Sequence, residues 1–157
     1  MTDRRVGRGP VRVFVAGTFD GLHFGHLYLL KFARRAAERW GRRHKRRGVH
    51  LSVVVARDDS VRRIKGRLPH HSQRQRRELL GELGLVDEAF VGYRDDFLRS
   101  VARARPDLIV LGYDQSRAWE EVLRRSGIEI PVVRCKAFNP ARLKSSMMRD
   151  DIIQMRT

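Results

Sequence analysis

Two histidines, His23 and His26, stand three residues apart in the segment GTFDGLHFGH (17–26). On the first turn of a helix, residues at that spacing share one face. Two imidazole donors on one face suit a triphosphate: they hold its oxygens and stabilise charge growing on a bridging oxygen and a five-coordinate phosphorus. The helix N-terminus adds free N–H groups and a partial positive charge. Glycines at 17, 21 and 25 let the backbone approach a ligand closely. The pattern is neither the GxxxxGK[ST] phosphate loop nor the GxGxxG dinucleotide fingerprint. Histidines at this spacing also cap helices, pack or bind a metal, and the pair alone leaves these alternatives open.

The elements that must position such a pair follow from the apolar pattern. VRVFVAG (11–17), VHLSVVVA (49–56) and PDLIVLG (106–112) are β-branched apolar runs with little alternation, which predicts strands buried on both faces. VDEAFVG (86–92) and PVVRC (131–135) predict two weaker strands. Helices are expected over 24 to about 40, 72–83, 94–104 and 116–126, and a last one from Ser145 carrying Met148, Ile152 and Met155. RDDS (57–60) reads as a turn, KGRLPHHS (65–72) as a loop, and GRRHKRRG (41–48) as a basic loop or frayed helix end. Strands alternating with helices predict an α/β fold, a doubly wound parallel sheet of Rossmann-like type, with ligands at the carboxyl ends of the strands. Residues 1–10 read as a loose tail and 11–157 as a single domain.

Composition narrows the class. Hydrophobic residues make up 41% and charged residues 33%, which excludes a disordered or fibrous chain. No apolar run reaches the roughly 20 residues of a membrane span, and no signal-peptide pattern opens the sequence, which predicts a soluble cytoplasmic protein. Cys135 is alone, so no intrachain disulfide forms, and a buried inert thiol is expected. The formal charge of +16 favours polyanions: nucleotide phosphates, nucleic acid or both.

The strand–GTFDG–HFGH arrangement resembles the HxGH nucleotidyltransferase superfamily, in particular its cytidylyltransferase-like branch. The resemblance implies that His23 and His26 contact the triphosphate and that the turn at Thr18 and Phe19, with Phe24 and Gly25, lines the nucleotide site. IKGR (64–67) is similar to the loop that guards the phosphates, which puts Lys65 in a catalytic role and Arg67 near the substrate phosphate. HSQRQRRELL (71–80) matches the helix in which an arginine, here Arg76, meets phosphate. LGYDQ (111–115) resembles the loop near the nucleoside, placing Asp114 there, although an Asp at that place also suits a helix cap. LKSSMM (143–148) stands where the family has a hydroxyl pair at a helix N-terminus, which assigns Ser145 and Ser146 to the nucleotide and Lys144 to substrate phosphate. VDEAFVG resembles a strand near a dimer interface, so a homodimer is expected.

Two departures bear on the substrate. Asn139 stands where the cytidylyltransferase branch has an arginine, and Lys144 where it has a serine. VVVARDDSVRRIKGRLP (53–69), PDLIVLGYDQ (106–115) and LKSS (143–146) are closer to the archaeal-type FAD synthases. That resemblance implies adenylyl transfer from ATP to FMN with a divalent ion, magnesium, and no protein residues are assigned to the metal. The alternatives are a CTP-dependent enzyme acting on a small alcohol phosphate and, from another class, a basic RNA-binding module. The last leaves GTFDGLHFGH unexplained and lacks an RNP-like aromatic motif, so nucleic acid is not the expected partner.

Overall fold

A computed structural model describes residues 9–138. Five strands, β1 (Val11–Gly17), β2 (Val49–Val55), β3 (Glu88–Val91), β4 (Leu108–Leu111) and β5 (Val132–Arg134), form one all-parallel sheet in the order β3-β2-β1-β4-β5. The order reverses between β1 and β4, the switch point at which such sheets bind ligands. Five helices connect and follow them: α1 (Phe24–Arg43), α2 (Asp58–Lys65), α3 (Gln73–Gly81), α4 (Phe97–Ala104) and α5 (Ala118–Arg125).

Period-two alternation explains why the central strands read as unbroken apolar runs. Val11, Val13 and Val15 of β1 join Leu51, Val53 and Val55 of β2 in a core under α1 and Leu80 of α3. Phe14, with Val54, Ile109 and Leu111, faces the opposite core with Val101 of α4 and Leu123 of α5. With both faces covered, polar residues are few on these strands, and the buried Ser52 of β2 donates its hydroxyl to Glu88 on β3.

One local reading needs correction. RDDS is the start of α2 rather than a turn, and that helix runs to Lys65. Only Val61 of α2 is buried, so no apolar periodicity reveals it. Its charge order does: Asp58 and Asp59 open it, Arg62, Arg63 and Lys65 close it, and Gly66 stops it at φ +75°. The basic run after Trp40 is also partly helical, since α1 continues to Arg43. The expected helix from Ser145 lies outside the described residues.

Gly41 shows packing overruling propensity in that basic run. A methyl group there would meet the Arg46 carbonyl oxygen at 2.8 Å and Val11 Cγ2 at 3.0 Å. Helix propensity alone predicts that Gly41→Ala stabilises by roughly 1 kcal/mol. The contacts predict instead a loss of about 1–2 kcal/mol. Urea denaturation of the variant decides the sign.

Candidate active site

The chain leaves β1 through a turn that only a particular set of residues can make. Phe19 has φ +54° and folds its ring back so that a methyl group on Gly17 would lie 2.9 Å from it. The Phe19 side chain is buried and its ring centroid lies 5.4 Å from that of His26, so it supports a histidine. Gly21 follows at φ +68°, a conformation that favours glycine.

The chain then enters α1 through the two histidines. His23 is the N-cap, and its Nδ1 accepts the Gly25 N–H at 3.0 Å. His26 Nδ1 accepts the His23 N–H at 3.2 Å. A backbone N–H can only donate, so both Nδ1 atoms are unprotonated and each neutral ring carries its proton on Nε2. The rings lie 3.9 Å apart between centroids. Capping therefore does not compete with ligand binding: it sets the tautomer that makes both rings Nε2–H donors. Gly25 is required, because a methyl group there would stand 2.8 Å from His23 Cε1. The pKa of His26 is lowered, first by burial and next by His23, with Asp114 opposing and Lys65 adding to the shift. His26 thus senses both Lys65 and Asp114, residues drawn from two other elements. Phe24 is exposed, and an apolar pocket of about 250 Å³ lined by Leu22, His23, Phe24, Leu27 and Leu83 opens beside it.

Arg76 is the largest fully buried side chain and does not face solvent as a phosphate contact would. Its guanidinium donates to the carbonyls of Thr18 (2.7 Å), Ala56 (2.8 Å) and His71 (3.0 Å) and to Asp58 Oδ1 (2.6 Å). The structure gives it a different task from the expected one: it clasps the carboxyl ends of β1 and β2 to α2 and to the start of α3. Asp20 makes a second clasp. Its carboxylate accepts the His70 N–H at 2.7 Å and the His71 N–H at 3.1 Å, with both ring Nδ1 atoms within 3.3 Å. Burial alone would raise its pKa, yet these bonds prevail and hold the carboxyl well below the usual carboxylate range. The segment carrying Lys65 and Arg67, both exposed, is thereby anchored at α2 and at His70–His71.

Asp114 does not cap α5, whose N-cap is Arg117 without a side-chain bond. Gln115, beside it, accepts the Gly112 N–H at 2.7 Å and donates to the Ala16 carbonyl at 2.8 Å, tying this loop to the end of β1. Asp20, His70, His71 and Gln115 were not singled out in the sequence. Asp20 and Gln115 lie within the quoted motifs GTFDG and LGYDQ, which is the signal that points to them. Lys144, Ser145 and Ser146 lie outside the described residues. Cys135 is buried, and burial pushes its thiol up to about 11, so it stays protonated and inert at neutral pH.

Comparison with known proteins agrees with this fold. The cytidylyltransferase-like family matches residues 14–151. A protein named FAD synthase from Aciduliprofundum boonei is 40% identical over 139 residues, covering 87% of this chain and 85% of that one. One of the same name from Korarchaeum cryptofilum is 39% identical over 142 residues, covering 88% and 90%. A crystal structure of a protein described as a lipopolysaccharide core biosynthesis protein, from Thermoplasma volcanium, superposes with a TM-score of 0.71 at 34% identity, covering 83% of this chain and 100% of that one.

Two consequences can be measured. Arg76→Met leaves three carbonyls and a carboxylate without their donor, and should cost about 3 kcal/mol or more in urea denaturation. The second concerns pH. Unfolded, His26 titrates near its ordinary 6.5; folded, it titrates lower. Below 6.5 the unfolded chain binds the extra proton first, so stability falls as pH drops through the window between the two values. His26→Asn retains a cap acceptor without the titration. Its stability between pH 7.5 and 5 should fall less steeply than that of the wild type, and equal slopes would refute the assignment.

Proposed function

The chain belongs to the cytidylyltransferase-like family, and from that premise we propose that it transfers AMP from ATP to FMN, yielding FAD and pyrophosphate. The observation that carries the reaction class is the pair of Nε2–H donors fixed at the start of α1, at the carboxyl end of β1. The choice of ATP and FMN rests on the FAD synthase relatives, which match over most of this chain.

In this reading a phosphate oxygen of FMN attacks the α-phosphorus of ATP in line, the bond to the bridging oxygen breaks, and pyrophosphate leaves. The FMN phosphate is already anionic at neutral pH, so no general base is needed. His23 and His26 donate from Nε2 to oxygens that gain charge in the transition state, which is where preorganised donors act most strongly. A depressed pKa suits His26 to this task, because the neutral ring keeps the tautomer that its cap demands. Lys65 and Arg67 bring mobile positive charge from the α2 end and the following loop, and Thr18 and Gly25 offer backbone to the nucleotide. Asp114 stands on the nucleoside side, and Lys144, Ser145 and Ser146 complete the phosphate contacts. No three His, Cys, Asp or Glu side chains among the described residues group as an ion's ligands. A magnesium ion carried on the triphosphate, largely hydrated, fits that donor set, and it would supply neutralisation of the leaving pyrophosphate.

Among the described residues no helix is long and apolar enough to cross a membrane. The reading extends to a homodimer at the β3 edge, where among the described residues β3 pairs only with β2.

With ATP, FMN and magnesium, the protein should release pyrophosphate and form FAD, whose fluorescence is weaker than that of FMN. His23→Ala and His26→Ala should each lower kcat by about 10²-fold while losing only ~1 kcal/mol of stability from the cap. Efficient reaction of CTP with glycerol phosphate, alongside silence with ATP and FMN, would replace this reading with the cytidylyltransferase alternative.

A further inference from the structure

Arg134, the last residue of β5, gathers the loop that follows β4. Its Nη1 donates to the carbonyls of Gln115 at 2.7 Å and Gly112 at 2.8 Å, with the Tyr113 carbonyl at 3.4 Å. Its Nε and Nη2 hold Glu120 Oε1 of α5 at 3.2 and 3.0 Å. One side chain thus joins β5, the loop 112–116 and α5. Gln115 braces the same loop from the opposite side, against the Ala16 carbonyl of β1.

These braces determine what the loop presents. Carbonyls of three of its residues turn toward the guanidinium, so their negative ends are neutralised rather than left beside a site for anions. The Gly112 N–H is spent inside the loop, and the Gln115 side chain between that N–H and the Ala16 carbonyl of β1. Tyr113, more than half exposed, and Asp114, also exposed, are what remains for a ligand. The Gln115 bond to the Ala16 carbonyl sets this loop against the end of β1, from which the chain runs on into the histidine turn, and the Asp114 charge acts on His26. A shift of the loop would move Tyr113 and Asp114 relative to the phosphate donors, and a base is discriminated by polar groups held in fixed register with the rest of its nucleotide.

We infer that Arg134 is a positioning residue that sets nucleobase selectivity: by holding the carbonyls of 112, 113 and 115 against α5, it fixes Tyr113 and Asp114 at one distance from His23 and His26. The inference rests on the reading of this loop as the nucleoside side of the site. It does not depend on which acceptor the enzyme uses.

The test combines equilibrium binding of ATP and of CTP, each with magnesium and without acceptor, with kinetics in which ATP and FMN are varied separately. Arg134→Met should weaken ATP binding at least tenfold and bring the ATP-to-CTP affinity ratio toward one, with KM for FMN within twofold of wild type. Arg134→Lys should fall between, since one ammonium cannot span three carbonyls and Glu120 as a planar fork does. Glu120→Ala removes only the α5 arm and should weaken ATP binding about threefold, which keeps the test open if Arg134→Met does not fold. Unchanged ATP binding in the folded variants, or equal shifts for ATP and FMN, would overturn the inference. Wild-type protein that binds ATP yet makes no FAD would sink the assigned reaction and leave this inference standing.

Discussion

One guanidinium holds the working end of the molecule together. Parallel strands end with carbonyls that have no further strand to meet, and buried carbonyls must find donors. Arg76 supplies them for Thr18 after β1 and Ala56 after β2, and its remaining donors reach His71 and Asp58. Burying a charge is costly, and it is tolerable here because the fork is surrounded by acceptors. Asp20 does the complementary work, a carboxylate surrounded by donors from His70 and His71. His71 is held from both sides, its N–H by Asp20 and its carbonyl by Arg76. The turn that precedes the histidines and the segment that carries Lys65 are therefore one rigid unit, the kind of support that a preorganised site needs.

Within that unit the histidines unite two roles that the sequence leaves as alternatives. A ring that caps a helix through Nδ1 has its other nitrogen fixed as a donor. The cap is modest in stability but decisive for protonation. It penalises the imidazolium, whose Nδ1–H would confront a backbone N–H. Burial lowers the pKa of His26 in the same direction. On the proposed reading, the cationic character comes from Lys65, Arg67 and the helix terminus, and the cap leaves Nε2 of each ring as the donor.

The fold was legible because the three apolar runs become β1, β2 and β4, covered on both faces by α1 with α3 and by α4 with α5. α2 was hidden because one buried valine makes no periodicity, while its order of charges did mark its ends. Arg76 was read as a phosphate contact, whereas the structure buries its guanidinium against backbone carbonyls and Asp58. Its spacing held the correction: Arg76 and Leu80 stand at i, i+4 on the face of α3 that packs inward. The clasp from Asp20 to His70 and His71 joins residues 50 and 51 positions apart, and no local pattern writes such a contact. The LGYDQ segment follows β4, as the strand reading expected, while its bracing by Arg134 depends on β5 being β4's neighbour, which only the topology supplies.

The central claim is that the α1 cap turns both histidines into neutral Nε2–H donors aimed at phosphate. Nitrogen-15 NMR of histidine-labelled protein near neutral pH reads this directly, with His23→Ala and His26→Ala used to assign the signals. The account predicts an unprotonated Nδ1 and a protonated Nε2 for both rings, with the Nε2 resonances shifting most when ATP and magnesium are added. A protonated Nδ1 on either ring in the free protein, or an ATP response confined to Nδ1, would contradict it.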